Sequence, residues 1–244
     1  MFYWLTKSSG RQVSGLNKIR KDFSNMLESA RHEFIIATDT CLAGIDPENI
    51  RDDLLATDKQ INKAERDIRK ELLIHAAVSC EMRKKFPDFP ECLAMMSIVK
   101  DAERLGDYSK NIFDLAVISP LEPEGDDRER MFILKNLIDK LFVSCRHVFD
   151  TEDIEAATQL IRESTWIARQ CEQNVVRILQ AQAGDPRGPY YVLLYRYMKR
   201  IASHLRNICS SIVQPVHKID FTSKLTRDVR DEGDLLDMKG EMPE

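Results

Sequence analysis

The chain has 244 residues, 43% of them hydrophobic and 31% charged, with only 9 glycines and 9 prolines, so it is long enough to bury a full core and leans towards helix. A formal net charge of -4 argues against general nucleic-acid binding, which wants a basic surface. No apolar run approaches the ~20 residues that cross a bilayer, and no run of alternating β-branched residues reads as a strand; the expected fold class is all-α.

Taken in order, residues 1–15 form an N-terminal segment that starts with Phe2, Tyr3, Trp4 and Leu5 and turns Ser/Gly-rich. It lacks the apolar core and cleavage site of a secretory signal. Its aromatics read either as a plug docked on the body or as an exposed contact for a partner or membrane surface. A first helix is expected over 16–41, with Ile19, Phe23, Met26, Ala30 and Phe34 facing inward. Gly44, Asp46 and Pro47 read as a stop, a cap and a first-turn proline. The second helix, 47–85, carries Leu54, Ile61, Ile68 and His75 at intervals of seven, beside a companion row of Asp58, Glu65, Leu72 and Ser79. Asp58 and Glu65 thus stand where a plain bundle places leucine. A buried unpaired carboxylate is costly, so they need water, a basic partner or a metal.

Pro87 and Pro90 break the chain before a third helix over 91–117. Its seam is Met95, Ile98, Ala102, Leu105, Ser109, Ile112 and Ala116, in alternating steps of three and four. One position round the helix, Glu103, Asp107 and Asn111 form an oxygen-rich column. Such a column also suits an ordinary solvated face neutralised by Arg104 and Lys110. The Pro-punctuated stretch 120–127 reads as a linker. A fourth helix follows over 128–149, with Phe132, Leu134, Leu137, Ile138, Leu141, Cys145 and Val148 inward. Asp150 and Thr151 are expected to cap a fifth, 152–182, whose rows are Ile154, Ile161, Ala168, Val175 and Thr158, Thr165, Glu172, Leu179. The sixth spans 190–213. Residues 222–244 read as a mobile acidic tail, with Leu235, Leu236 and Met238 as an alternative docking turn.

The third-helix seam returns ~96 positions later as Leu194, Met198, Ile201, Leu205, Ile208 and Ile212, and Asn111-Ile112 returns as Asn207-Ile208. The acids do not return: Lys199 replaces Glu103 and Ser203 replaces Asp107. Two three-helix repeats, 16–119 and 128–221, are expected, with one acidic column between them.

The stretch Asp-Ala-Glu-Arg-Leu-Gly-Asp-Tyr-Ser-Lys-Asn-Ile at 101–112 resembles the signature of the PhoU family of phosphate-transport and phosphate-signalling regulators. That resemblance implies two tandem three-helix bundles of spectrin-like repeat type, with an acid-x-x-x-Asp motif in the third helix. It also implies an iron or zinc cluster at Glu103 and Asp107. Helical phase adds Asp58 and Glu65, which could meet them across the ~8–10 Å between packed helices. A carboxylate cage of this kind suits Fe, Zn, Mn or Mg. The implied function is a cytoplasmic, non-catalytic adaptor, peripheral to the inner membrane through a membrane phosphate transporter or its ATPase subunit, and a partner of a phosphate-sensing histidine kinase. A homodimer is compatible with it. The alternatives are a dedicated accessory subunit of a sodium- or proton-coupled phosphate transporter and a carboxylate-bridged metal enzyme in a helix bundle. The enzyme is disfavoured because no glutamate lies three residues before any histidine, and Glu71 with His75 reads as a surface pair. The six cysteines form no Cys-x-x-Cys pair and read as packed, reduced thiols.

Overall fold

The computed structural model describes residues 14–83, 88–119, 123–181, 186–229 and 235. Phe2, Tyr3, Trp4, Leu236 and Met238 lie outside them. Among the described residues there are six α-helices and no strand: α1 (Ser14–Leu42), α2 (Pro47–Arg83), α3 (Phe89–Ile118), α4 (Gly125–Thr151), α5 (Ile154–Gln180) and α6 (Gly188–Val213), followed by a 3-10 turn at Val216–Lys218.

Local chemistry accounts for the breaks. Gly44 takes the left-handed conformation (φ 65°) after α1, and the Asp46 carboxylate accepts the Glu48 N–H at 3.0 Å to start α2. Proline in the first turn opens both α3 and α6. The start of α5 differs from expectation. Helix α4 runs on through Asp150 to Thr151, Glu152 turns left-handed (φ 55°), and Asp153 is the cap. Its Oδ1 accepts the N–H groups of Glu155 and Ala156, both at 3.0 Å, because only a side chain just ahead of the first turn reaches those two donors.

The two repeats lie side by side. Within the first, α1, α2 and α3 pack on one another; α1 then meets α4 and α3 meets α6, while α5 covers α4 and α6. One continuous apolar core runs through both repeats. Phe23 meets Phe149 at 4.6 Å between ring centroids and Phe34 meets Phe142 at 5.6 Å, joining α1 to α4. Each such fully buried phenylalanine contributes on the order of 2 kcal/mol. Tyr108 stacks on His204 at 5.6 Å. These two residues hold equivalent places in the recurring seam, so equivalent positions of α3 and α6 touch.

Two segments depart from expectation. Ile154 and Leu179 of α5 are exposed, whereas Ile161, Ala168 and Val175 are buried. The buried stripe slides towards Leu160, Cys171 and Asn174, because α5 leans on α6 more than on the centre of a symmetric bundle. The stretch placed in a mobile tail folds back as far as it is described: Thr222, Thr226 and Leu235 are buried. The Arg169 guanidinium donates to the Val229 carbonyl and Arg162 pairs with Asp228, so two arginines of α5 hold a segment that has no periodicity of its own.

Candidate functional site

The acidic rows of α2 and α3 meet as helical phase predicts, with lysines between them. Asp58, Glu65 and Glu103 are all buried, while Asp107 is half-buried. Lys100 places its ammonium 2.8 Å from Glu103 Oε2 and 3.8 Å from Glu65 Oε1, so these two acids share one cation. Arg69 adds a 2.9 Å hydrogen bond to Glu65. One turn along, Asp107 pairs with Arg104 at 3.1 Å, and Lys110 stands 3.7 Å from Asp58. Of the four predicted residues, Glu65 and Glu103 are therefore brought together by Lys100, while Asp58 and Asp107 are held by separate cations, Lys110 and Arg104. Among the described residues no three His, Cys, Asp or Glu side chains converge closely enough to hold a metal ion.

A fifth acid sits behind them. Glu33 of α1 is wholly buried and neither carboxylate oxygen has a hydrogen-bond partner. Burial, then the negative charge of Asp58, pushes its carboxyl up to about 9; Lys110 opposes the shift and Asp107 adds to it. The approach is close because α3 carries Gly106 at that level, where an added Cβ would lie 3.1 Å from Glu33 Oε2. The sequence did hold a signal for this residue. Continuing the four-three alternation from Ile19 through Phe23, Met26 and Ala30 lands on Glu33 and Ala37, not on Phe34 alone.

Asp101 was not foreseen. Its Oδ1 accepts from Asn207 Nδ2 at 2.9 Å and lies 2.7 Å from His204 Nδ1, tying α3 to α6 across the repeats. Elsewhere Glu71 pairs with Lys18 at 2.6 Å rather than with His75, whose Nε2 stands 3.3 Å from Asp88. The five cysteines whose side chains are described (Cys41, Cys92, Cys145, Cys171 and Cys209) are buried free thiols. No described helix is long and apolar enough to cross a membrane.

A duplicated six-helix bundle with a buried acidic face in its first repeat alone is the class that fold and site define. Residues 24–116, from within α1 almost to the end of α3, match the family model of the PhoU domain. The chain's fold is that of PhoU from Pseudomonas aeruginosa (TM-score 0.72, 20% identity, 82% of this chain and 95% of that one). It is also that of the phosphate transport system regulatory protein PhoU from Streptococcus pneumoniae (TM-score 0.64, 17% identity, 89% and 98%). No curated protein matches the sequence.

Proposed function

We propose that this chain regulates phosphate uptake and phosphate-responsive signalling as a non-catalytic adaptor. The PhoU-domain match over 24–116 carries the reading, because it spans the repeat that holds Glu103 and Asp107. The side-by-side repeats offer long helical faces to a membrane phosphate transporter, its ATPase subunit or a phosphate-sensing histidine kinase. Such partners would hold the chain at the cytoplasmic face of the membrane. To hold an Fe, Zn, Mn or Mg ion, Glu103 and Asp107, with Asp58 and Glu65, would have to turn away from Lys100, Arg104 and Lys110 and converge; an all-carboxylate donor set suits hard or borderline cations.

The test is deletion of the gene in its own host and uptake of labelled phosphate from phosphate-rich medium. Uptake should rise and be restored by the intact gene; unchanged uptake and unchanged phosphate-starvation gene expression would overturn the reading. For the ion, metal analysis of untagged protein should show near-stoichiometric iron, zinc, manganese or magnesium that is lost in Glu103→Ala/Asp107→Ala. A narrower role, as accessory subunit of one ion-coupled phosphate transporter, is favoured by the loss of the acids at Lys199 and Ser203. A single transporter co-purifying from solubilised membranes, without an ATPase subunit or kinase, would select it.

A further inference from the structure

Where the first repeat gathers carboxylates, the second gathers cations. Lys199, Ser203 and Arg206 of α6 occupy the places that Glu103, Asp107 and Lys110 occupy on α3. All three line a groove of about 510 Å³ between α5, α6 and the returning C-terminal segment, a volume in the range of small-ligand sites. Thr165 closes its α5 side, and Thr222 and Ser223 its C-terminal side.

Arg206 is the anomalous residue. Its guanidinium is largely buried, its Nε has no hydrogen-bond partner, and NH1 lies 3.5 Å from Thr165 Oγ1, at the limit of a hydrogen bond. Burial pulls its pKa below the ordinary range, with Asp220 opposing. A buried guanidinium so poorly satisfied asks for an anion. Lys199 is engaged by Glu172, which also takes Arg196 at 3.0 Å. The hydroxyls of Thr165 and Ser203 bond back to the carbonyls of Ile161 and Lys199, and hydroxyls are rotors that can turn to a ligand.

We propose that this groove binds a phosphate group, held by Arg206 and Lys199. A phosphate brings close to two negative charges and several strong acceptor oxygens, enough to draw Lys199 from Glu172 while engaging the guanidinium. Two carboxyl groups, Asp220 and Glu172, also line the groove. Glu172 competes with the anion for Lys199, while Asp220 repels a fully deprotonated oxyanion but accepts a hydrogen bond from the P–OH of hydrogen phosphate, or of a monoester bound as its monoanion. Sulfate has no such proton at neutral pH, so the site distinguishes the two. The backbone brings Asp220 there through a left-handed residue (φ 76°), pinned by its N–H donating to Ser210 Oγ at 3.0 Å. This inference stands apart from the proposed function: phosphate binding with unaltered uptake regulation, or the reverse, separates the two.

Calorimetric titration of the full chain at constant ionic strength tests it, with inorganic phosphate, adenosine monophosphate and sulfate as separate ligands. Saturable binding of inorganic phosphate identifies the free anion as ligand; binding of the monophosphate alone identifies a phosphate monoester. Either supports the proposal, provided sulfate binds at least tenfold more weakly. Arg206→Gln and Lys199→Gln should each weaken binding by about tenfold or more, the loss of one charge-assisted hydrogen bond. Glu172→Gln, which releases Lys199, should tighten it. If Arg206→Gln fails to fold, Lys199→Gln and Glu172→Gln decide. No saturable binding of either phosphate ligand, equal binding of sulfate, or affinities indifferent to Lys199 and Glu172 would overturn the assignment.

Discussion

A carboxyl group such as Glu33, buried without a hydrogen-bond partner, makes stability depend on pH in a definite direction. Its folded-state pKa is raised from 4.5 to about 9, first by burial and then by Asp58. Below pH ~4.5 the group is protonated whether the chain is folded or not, and it costs nothing. Between ~4.5 and ~9 the native state keeps a proton that the unfolded chain releases, so stability falls as pH rises and the full penalty is reached above the folded value. Glu33→Gln removes this dependence. The variant should match the parent to within about 0.5 kcal/mol near pH 4.5 and exceed it by about 3 kcal/mol at pH 7. Urea melts across that range check the slope; parallel curves for the two proteins would refute the assignment. The residue was readable in principle, because the α1 alternation passes through it. Its missing partner was not, since no pattern along one helix shows what the facing helices place opposite.

Helix packing turns on a second small feature, the close approach of α1 and α2 to α3 at Gly106. On an isolated helix Gly→Ala gains about 1 kcal/mol. Here the new methyl would lie 3.1 Å from both Glu33 Oε2 and Ile61 Cδ1, and overpacking of this kind costs about 1–3 kcal/mol. Gly106→Ala should therefore be destabilising, by about 1 kcal/mol net. In a Glu33→Ala background the same substitution should become neutral or favourable, because half of the clash is gone. A double-mutant cycle in thermal melts measures that sign change; equal effects in both backgrounds would exclude the close approach. Helix order was legible because four-three alternation and proline breaks persist along the chain. The ends of α4 and α5 were not, since Asp150 and Asp153 are both plausible caps until the backbone shows which aspartate reaches two free N–H groups. The site divides the same way. Phase placed Asp58, Glu65, Glu103 and Asp107 on one face, but said nothing of Lys100 reaching between two of them.

At the scale of the molecule, the duplication is visible as a recurring seam, while the way the copies pack is not. Each seam reports only the contacts within its own three helices. The second face of α1 and α3 is interrupted by polar residues that find partners in the other repeat. Ser24 donates to Asp150 at 3.0 Å, Arg31 to Asp139 at 2.6 Å, and Asp101 accepts from Asn207. Read along one helix, these look like solvated positions; in the folded chain they border Phe23, Phe34 and the stacked Tyr108. The halves are therefore halves of one core. A fragment of residues 14–119 would bare Phe23 and Phe34 and leave the buried Asp101 carboxylate without its two partners. Exposed apolar area of that kind favours self-association. The fragment should unfold at lower denaturant than the whole chain, or pair with a second copy of itself. Light scattering across a range of concentrations, with urea melts, checks this. A fragment that stays monomeric and melts at the same urea midpoint as the full chain would show that each repeat carries its own complete core.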